Sequence, residues 1–103
     1  MSIDELPIKI DREKIAEFCR AKGIRKLSLF GSVLRADFDA DRSDVDVLAE
    51  FKPGALNGVG WHYFSYGTEL SKILGWPVDF CSQLSPYIEE QVKKEALTIY
   101  EQA

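Results

Sequence analysis

The chain has 103 residues, 46% hydrophobic and 29% charged, and its 17 acidic and 13 basic side chains give a net charge of -4. That length suits one compact domain, residues 1–103, with two or three layers around a core and no room for a second substrate domain. The acidic balance argues against a protein that binds by neutralising many nucleic-acid phosphates, so bulk nucleic acid is not an expected partner.

The N-terminus, MSIDELPIKI, carries acidic residues where a signal peptide would be basic. No run approaches the roughly 18 apolar residues of a membrane span. A cytoplasmic location and no membrane partner are therefore expected. Asp11 can cap a helix running to about Lys22, with Glu13 in its first turn, Ile15, Phe18 and Cys19 on one face, and Gly23 as the stop.

Lys26 to Phe30, KLSLF, reads as a short strand that runs into Gly31-Ser32, after which VLRADF can make one or two helical turns. The acidic stretch ADFDADR leads into a second strand, Asp44 to Phe51. There Val45, Val47, Ala49 and Phe51 alternate with Asp44, Asp46, Leu48 and Glu50. Lys52-Pro53-Gly54 ends it with turn chemistry. Residues 53–68 hold no Asp, Glu, Lys or Arg, and read as a loop entering an aromatic-rich helix through Tyr66, Leu70, Ile73 and Leu74, stopped by Gly75.

Pro77 to Cys81, PVDFC, is a third short strand with Asp79 as its one charge. Ser85-Pro86 then opens a last helix in which Ile88, Val92, Ala96 and Ile99 keep helical spacing. The order is α, β, short α, β, α, β, α, an α+β domain with a small mixed β-sheet flanked by helices. Two cysteines, Cys19 and Cys81, lack any zinc spacing and read as free core thiols.

Same-side residues on a strand lie about 6.6 Å apart, so the carboxylates of Asp44 and Asp46 can lean toward one point, where they repel. A bound cation makes that spacing useful. Gly31 lets backbone N–H groups approach a phosphate, Ser32 adds a donor, and the helix start adds positive potential. Two carboxylates from one strand and Asp79 from another can hold one or two Mg2+ ions against a substrate phosphate. Singly, each feature reads more simply as a turn, a solvated strand face and an edge aspartate.

Gly31 to Phe51, GSVLRADFDADRSDVDVLAEF, resembles the nucleotidyltransferase signature of a Gly-Ser turn, a spacer and Ser-Asp-x-Asp. The later PVDF with LSPYIEEQVKKEALTIYE resembles the third-carboxylate strand and closing helix of the minimal nucleotidyltransferases, or MNT proteins. These belong to the DNA polymerase beta-like superfamily and are commonly encoded beside a HEPN-domain partner. The likeness spans about residues 10 to 101.

The resemblance implies a nucleotidyltransferase fold, with Asp44 and Asp46 as the metal-binding pair, Asp79 as third carboxylate and base, Gly31 and Ser32 as the triphosphate turn, and Ser43 as the serine before the pair. It implies Mg2+ or Mn2+ as cofactor, ATP as substrate, and transfer of AMP to a hydroxyl with release of pyrophosphate. Many MNT members are antitoxins that adenylylate a tyrosine of a HEPN toxin, which makes a HEPN-domain protein the expected partner. A homo-oligomer is also compatible with the sequence. The chain departs from the pattern at Ala36, where family members often have glycine.

Arg35 and Arg42 read as phosphate contacts or as surface ion pairs, and His62 as a packed or exposed histidine at a helix start. Tyr63, Phe64 and Tyr66 read as core or as a partner-binding face. Asp37, Asp39 and Asp41 mimic the first positions of a calcium loop. That pattern fails at Arg42, Asp44 and Leu48, where glycine, an apolar residue and glutamate belong. The rival from another class is a non-catalytic nucleotide-binding module that neutralises a partner by contact. Three converging carboxylates favour chemistry over contact.

Overall fold

The computed structural model describes residues 5–6, 8–34, 44–82 and 86–102. Helix α1 spans Arg12–Lys22, and an Asp11 carboxylate oxygen accepts the Lys14 backbone N–H at 3.2 Å, satisfying one otherwise unpaired donor of the first turn. Gly23, in left-handed backbone, ends it as expected. Strand β1, Ile24–Phe30, follows directly and passes into a single 3-10 turn, Gly31–Leu34. The rest of the expected helical segment lies outside the described residues.

Strand β2 is Val45–Phe51, a second 3-10 turn is Gly60–Ser65, helix α2 is Tyr66–Leu74, and strand β3 is Val78–Cys81. Helix α3, Pro86–Glu95, is followed by strand β4, Leu97–Glu101. This last strand corrects the sequence reading, which ran the final helix on through Ile99. Leu97, Thr98 and Tyr100 instead pair antiparallel with β1, and ladder hydrogen bonds replace the helical ones. The serine expected to cap α3, Ser85, lies outside the described residues.

The sheet order is β3-β2-β1-β4, with β1 antiparallel to β2 and β4 and with β2 parallel to β3. It is the small mixed sheet that the alternation predicted. One face carries Leu27 and Leu29 of β1 opposite Ala49 and Val47 of β2. Ile15, Phe18 and Cys19 of α1, and Tyr66, Leu70 and Leu74 of α2, pack on this face to form the core. Burying one such leucine or isoleucine contributes about 1.5–3 kcal/mol. Lys22 bridges the two helices, 3.1 Å from the Glu69 carboxylate and 4.9 Å from the centre of the Tyr66 ring.

The opposite face carries Lys26, Ser28 and Phe30 of β1 opposite Glu50, Leu48 and Asp46 of β2. Helix α3 stands over it with no fully buried residue of its own. Leu48 and Ser28 are nevertheless buried, at 3% exposure each. The sheet therefore has a tightly packed apolar side and a looser polar side. Among the described residues, no helix is long and apolar enough to cross a membrane.

Candidate functional site

The polar side is where the sequence-predicted carboxylates meet. The Val45 N–H donates to the Pro77 carbonyl oxygen at 2.8 Å, which sets the parallel register of β2 on β3. In that register Asp46 pairs with Asp79, and Leu48 with Cys81. Register partners on adjacent strands share a face and sit about 4.8 Å apart at the backbone. Asp44, two residues before Asp46, is exposed at the entrance to β2.

Gly31 closes the other side of Asp46. Its φ is 76°, a left-handed conformation that a side chain rarely adopts. A Cβ built at this position would collide with the Asp46 Oδ2 and lie 3.1 Å from its Cγ. The missing side chain is what lets the carboxylate lie against the turn that ends β1. Ser32 occupies the same turn. Its side chain is not among those described, and Ser43, Arg35, Ala36, Arg42 and the aspartates at 37, 39 and 41 lie outside the described residues.

Two features were not anticipated from sequence. A cavity of about 320 Å3 lies beside Asp46, lined by Phe30, Gly31 and Asp46 on the sheet side and by Ile88, Gln91, Val92 and Glu95 of α3. Helical spacing alone could have shown that these α3 residues share a face, but not that the face looks onto a carboxylate.

The other feature is Cys81, expected in the core together with Cys19. Cys19 is buried as expected; Cys81 is only half-buried and shares the polar side with the carboxylates. Its Sγ lies 4.0 Å from the Asp79 Oδ1. Burial, and after it the negative charges of Asp79 and Asp46, push the Cys81 thiol above its ordinary pKa of 9.0. The thiol thus registers the field of both aspartates.

Farther along β2, Arg25 and Lys93 approach Glu50 at 3.3 and 4.0 Å, and Lys93 also pairs with Glu89 at 3.0 Å. Only the Lys93–Glu50 pair joins α3 to the sheet, and a partly exposed pair at 4.0 Å holds it weakly. Hydrogen bonding and the charge of Glu89 raise the Lys93 pKa above its ordinary value. His62 is exposed on the Gly60–Ser65 turn and is not among the residues lining the Asp46 cavity. Tyr66 and Tyr63 pack inward, whereas Trp61 and Phe64 are exposed.

The donor atoms suit a hard divalent cation: carboxylate oxygens of Asp46 and Asp79 on one face, with Asp44 beside them. Among the described residues, no three His, Cys, Asp or Glu side chains are gathered closely enough to ligate a metal as they stand. Three carboxylates drawn that close without a cation would repel. Asp46 and Asp79 are thus the described residues whose oxygens could take a cation on this face, with the Gly31 turn alongside Asp46.

Residues 12–101 match the nucleotidyltransferase domain family. Among solved structures, a protein assigned to the minimal nucleotidyltransferases is 31% identical, with 84% of this chain and 86% of that one covered and a TM-score of 0.65. A toxin-antitoxin complex with AMP-PNP is 18% identical over 90% of this chain and 75% of that one, with a TM-score of 0.67. The complex of a tri-AMPylated HEPN toxin from Shewanella oneidensis with an MNT antitoxin is 17% identical over 88% and 70%, with a TM-score of 0.56. No curated protein matches the sequence.

Proposed function

Because the chain belongs to the nucleotidyltransferase domain family, we propose that it transfers AMP from ATP to a hydroxyl of a partner protein, a HEPN-domain toxin, and so acts in the cytoplasm as that toxin's antitoxin. The observation that carries this reading is the register pairing of Asp46 with Asp79 beside Gly31. There one carboxylate of the pair, Asp46, lies directly against a turn whose backbone no Cβ covers. The similar complexes lend it direction, one with AMP-PNP and one with an AMPylated HEPN toxin.

In this reading Asp44, Asp46 and Asp79 hold Mg2+ or Mn2+, cations that take oxygen ligands and substrate phosphates. Such a metal, when bound, offsets the triphosphate charge and stabilises charge developing at the α-phosphoryl group. The chain's own residues do the rest. Gly31 and Ser32 bind the triphosphate through the turn, and Ser43 adds a hydroxyl donor. Asp79 accepts the proton of the acceptor hydroxyl. The freed oxygen bonds to the α-phosphorus, the α–β phosphoanhydride breaks, and pyrophosphate leaves.

The test is to co-express the chain with its neighbouring gene product and weigh that product intact. The expected result is an added AMP on the neighbour, absent when Asp46→Asn replaces the wild type. A neighbour that is neutralised yet unmodified would favour the contact-only module and overturn the enzyme reading.

A further inference from the structure

The reaction proposed above needs a hydroxyl, and the fold presents one of its own. The chain has four tyrosines. Tyr66 is buried at 5% exposure in the core, the Tyr63 hydroxyl shares a 2.8 Å hydrogen bond with Ser82, and Tyr100 is half-buried on β4. Tyr87 differs from all three, for its side chain is 96% exposed in the first turn of α3.

Its position on that helix connects it to the carboxylate site. Ile88, Gln91, Val92 and Glu95 of α3 wall the cavity that Gly31 and Asp46 close from the sheet side. Tyr87 immediately precedes Ile88 and stands one helical turn before Gln91, so its side chain leaves the helix beside the cavity-lining stripe. Helix α3 is also the element that follows β3, the strand carrying Asp79. A phenol is a stronger acid than the alcohols of serine and threonine, so a carboxylate base removes its proton more readily.

We propose that Tyr87 is a second acceptor, so that the chain adenylylates itself; this rests on the transfer reading above. The Tyr87 Oη bonds to the α-phosphorus of ATP, the α–β phosphoanhydride breaks, pyrophosphate departs, and the phenolic proton passes to the Asp79 carboxylate. No electron transfer and no further reactant is needed. The product carries a phosphodiester beside the α3 stripe that lines the Asp46 cavity.

The experiment uses the purified full chain with ATP and Mg2+ and without partner, read by intact mass and by tandem mass spectrometry of its peptides. The expected result is the mass of one AMP residue gained at Tyr87, lost in EDTA and lost in Tyr87→Phe. That substitution keeps the ring and removes an exposed hydroxyl, and circular dichroism should confirm a native fold. An adduct mapped to another residue, or one that Tyr87→Phe retains, overturns the self-acceptor. So does an unmodified chain that still adenylylates a HEPN partner, and in these three cases the transfer reading stands. Absence of pyrophosphate release both with and without partner overturns the two readings together.

Discussion

Asp46 and Asp79 are register partners across the parallel β2/β3 pair, on the side of the sheet that faces α3. A slip of one residue would bring Asp79 to the core side, now occupied by Val78 and Phe80, and burying that charge makes the slip costly. The same apolar residues that pack β3 on α2 therefore hold two like charges side by side. This puts two carboxylates on one face, the oxygen donors proposed above to hold a cation.

Cys81 reports this field without any assay of activity. Burial first, and then the charges of Asp79 and Asp46, raise its thiol above the ordinary pKa, so removing either charge eases formation of the thiolate. In EDTA at pH 8, iodoacetamide should alkylate Cys81 faster in Asp79→Asn and in Asp46→Asn than in the wild type, and the rate profile should shift to lower pH. Cys19, buried in the core, should stay unreacted in the native chain. Identical profiles in wild type and variants would mean that the aspartates do not face the thiol.

Gly31→Ala tests the turn. Alanine in left-handed backbone costs about 1–2 kcal/mol, and its Cβ must also displace the Asp46 carboxylate. Urea denaturation should show a loss of about that size with the fold retained, and ATP affinity in Mg2+ should fall at least as far as in Ser32→Ala. Unchanged affinity would place the phosphate elsewhere.

Cys19 gives the chain a specific alkaline weakness. Burial pushes its thiol up from 9.0 to about 12. Below pH 9 the thiol stays protonated in both the folded and unfolded chain. Above it the unfolded chain ionises first and binds fewer protons, so stability falls as pH rises toward about 12. Between pH 7 and pH 10 the wild type should lose about 1.4 kcal/mol more than Cys19→Ala does, measured by urea denaturation at each pH.

Much of this was legible in the sequence, for reasons that also explain what was not. Asp11 and Gly23 bracket α1 because capping is chemistry between residues near in sequence. The alternation of Val45, Val47 and Ala49 reveals β2 because one of its faces is buried. Strand β4 escaped because Ile88, Val92, Ala96 and Ile99 fit a helical period, whereas Thr98 and Ile99 are set in a strand only by a partner, β1, nearly seventy residues earlier. The same limit applies at the site. Which residues carry charge could be read, but the pairing of Asp46 with Asp79, the α3 wall and the approach of Cys81 depend on strand register and helix placement.

The aromatic window before α2 divides into core and surface, and two substitutions separate them. Leu70 is fully buried between α2 and the sheet, so Leu70→Ala should cost about 2–5 kcal/mol. Trp61, 86% exposed with its ring centre 5.6 Å from that of Phe64, should change stability by less than about 0.5 kcal/mol when replaced by alanine. Thermal denaturation of both variants checks this. A large loss for Trp61→Ala would mean that the tryptophan belongs to the core.

Asp79→Asn separates binding from transfer. Asp79 stands on the shorter strand, exposed, while Asp46 lies half-buried against the Gly31 turn, which is the element proposed to hold the triphosphate. In the proposed assignment, removing the Asp79 charge still leaves Asp44 and Asp46 for the cation, so nucleotide affinity in Mg2+ should fall less than tenfold, or less than about 1.4 kcal/mol. Transfer should fall much further, by a factor of about 100 or more, because the acceptor hydroxyl loses its base. Asp46→Asn should instead weaken both. Calorimetric titration of ATP, with and without EDTA, gives the first quantity, and intact mass of the co-expressed neighbour gives the second. If Asp79→Asn lost nucleotide binding as fully as Asp46→Asn, Asp79 would be a metal ligand first and the base would have to be another group. If it kept transfer, the proton would leave the hydroxyl without Asp79, and the role proposed for that carboxylate would be wrong.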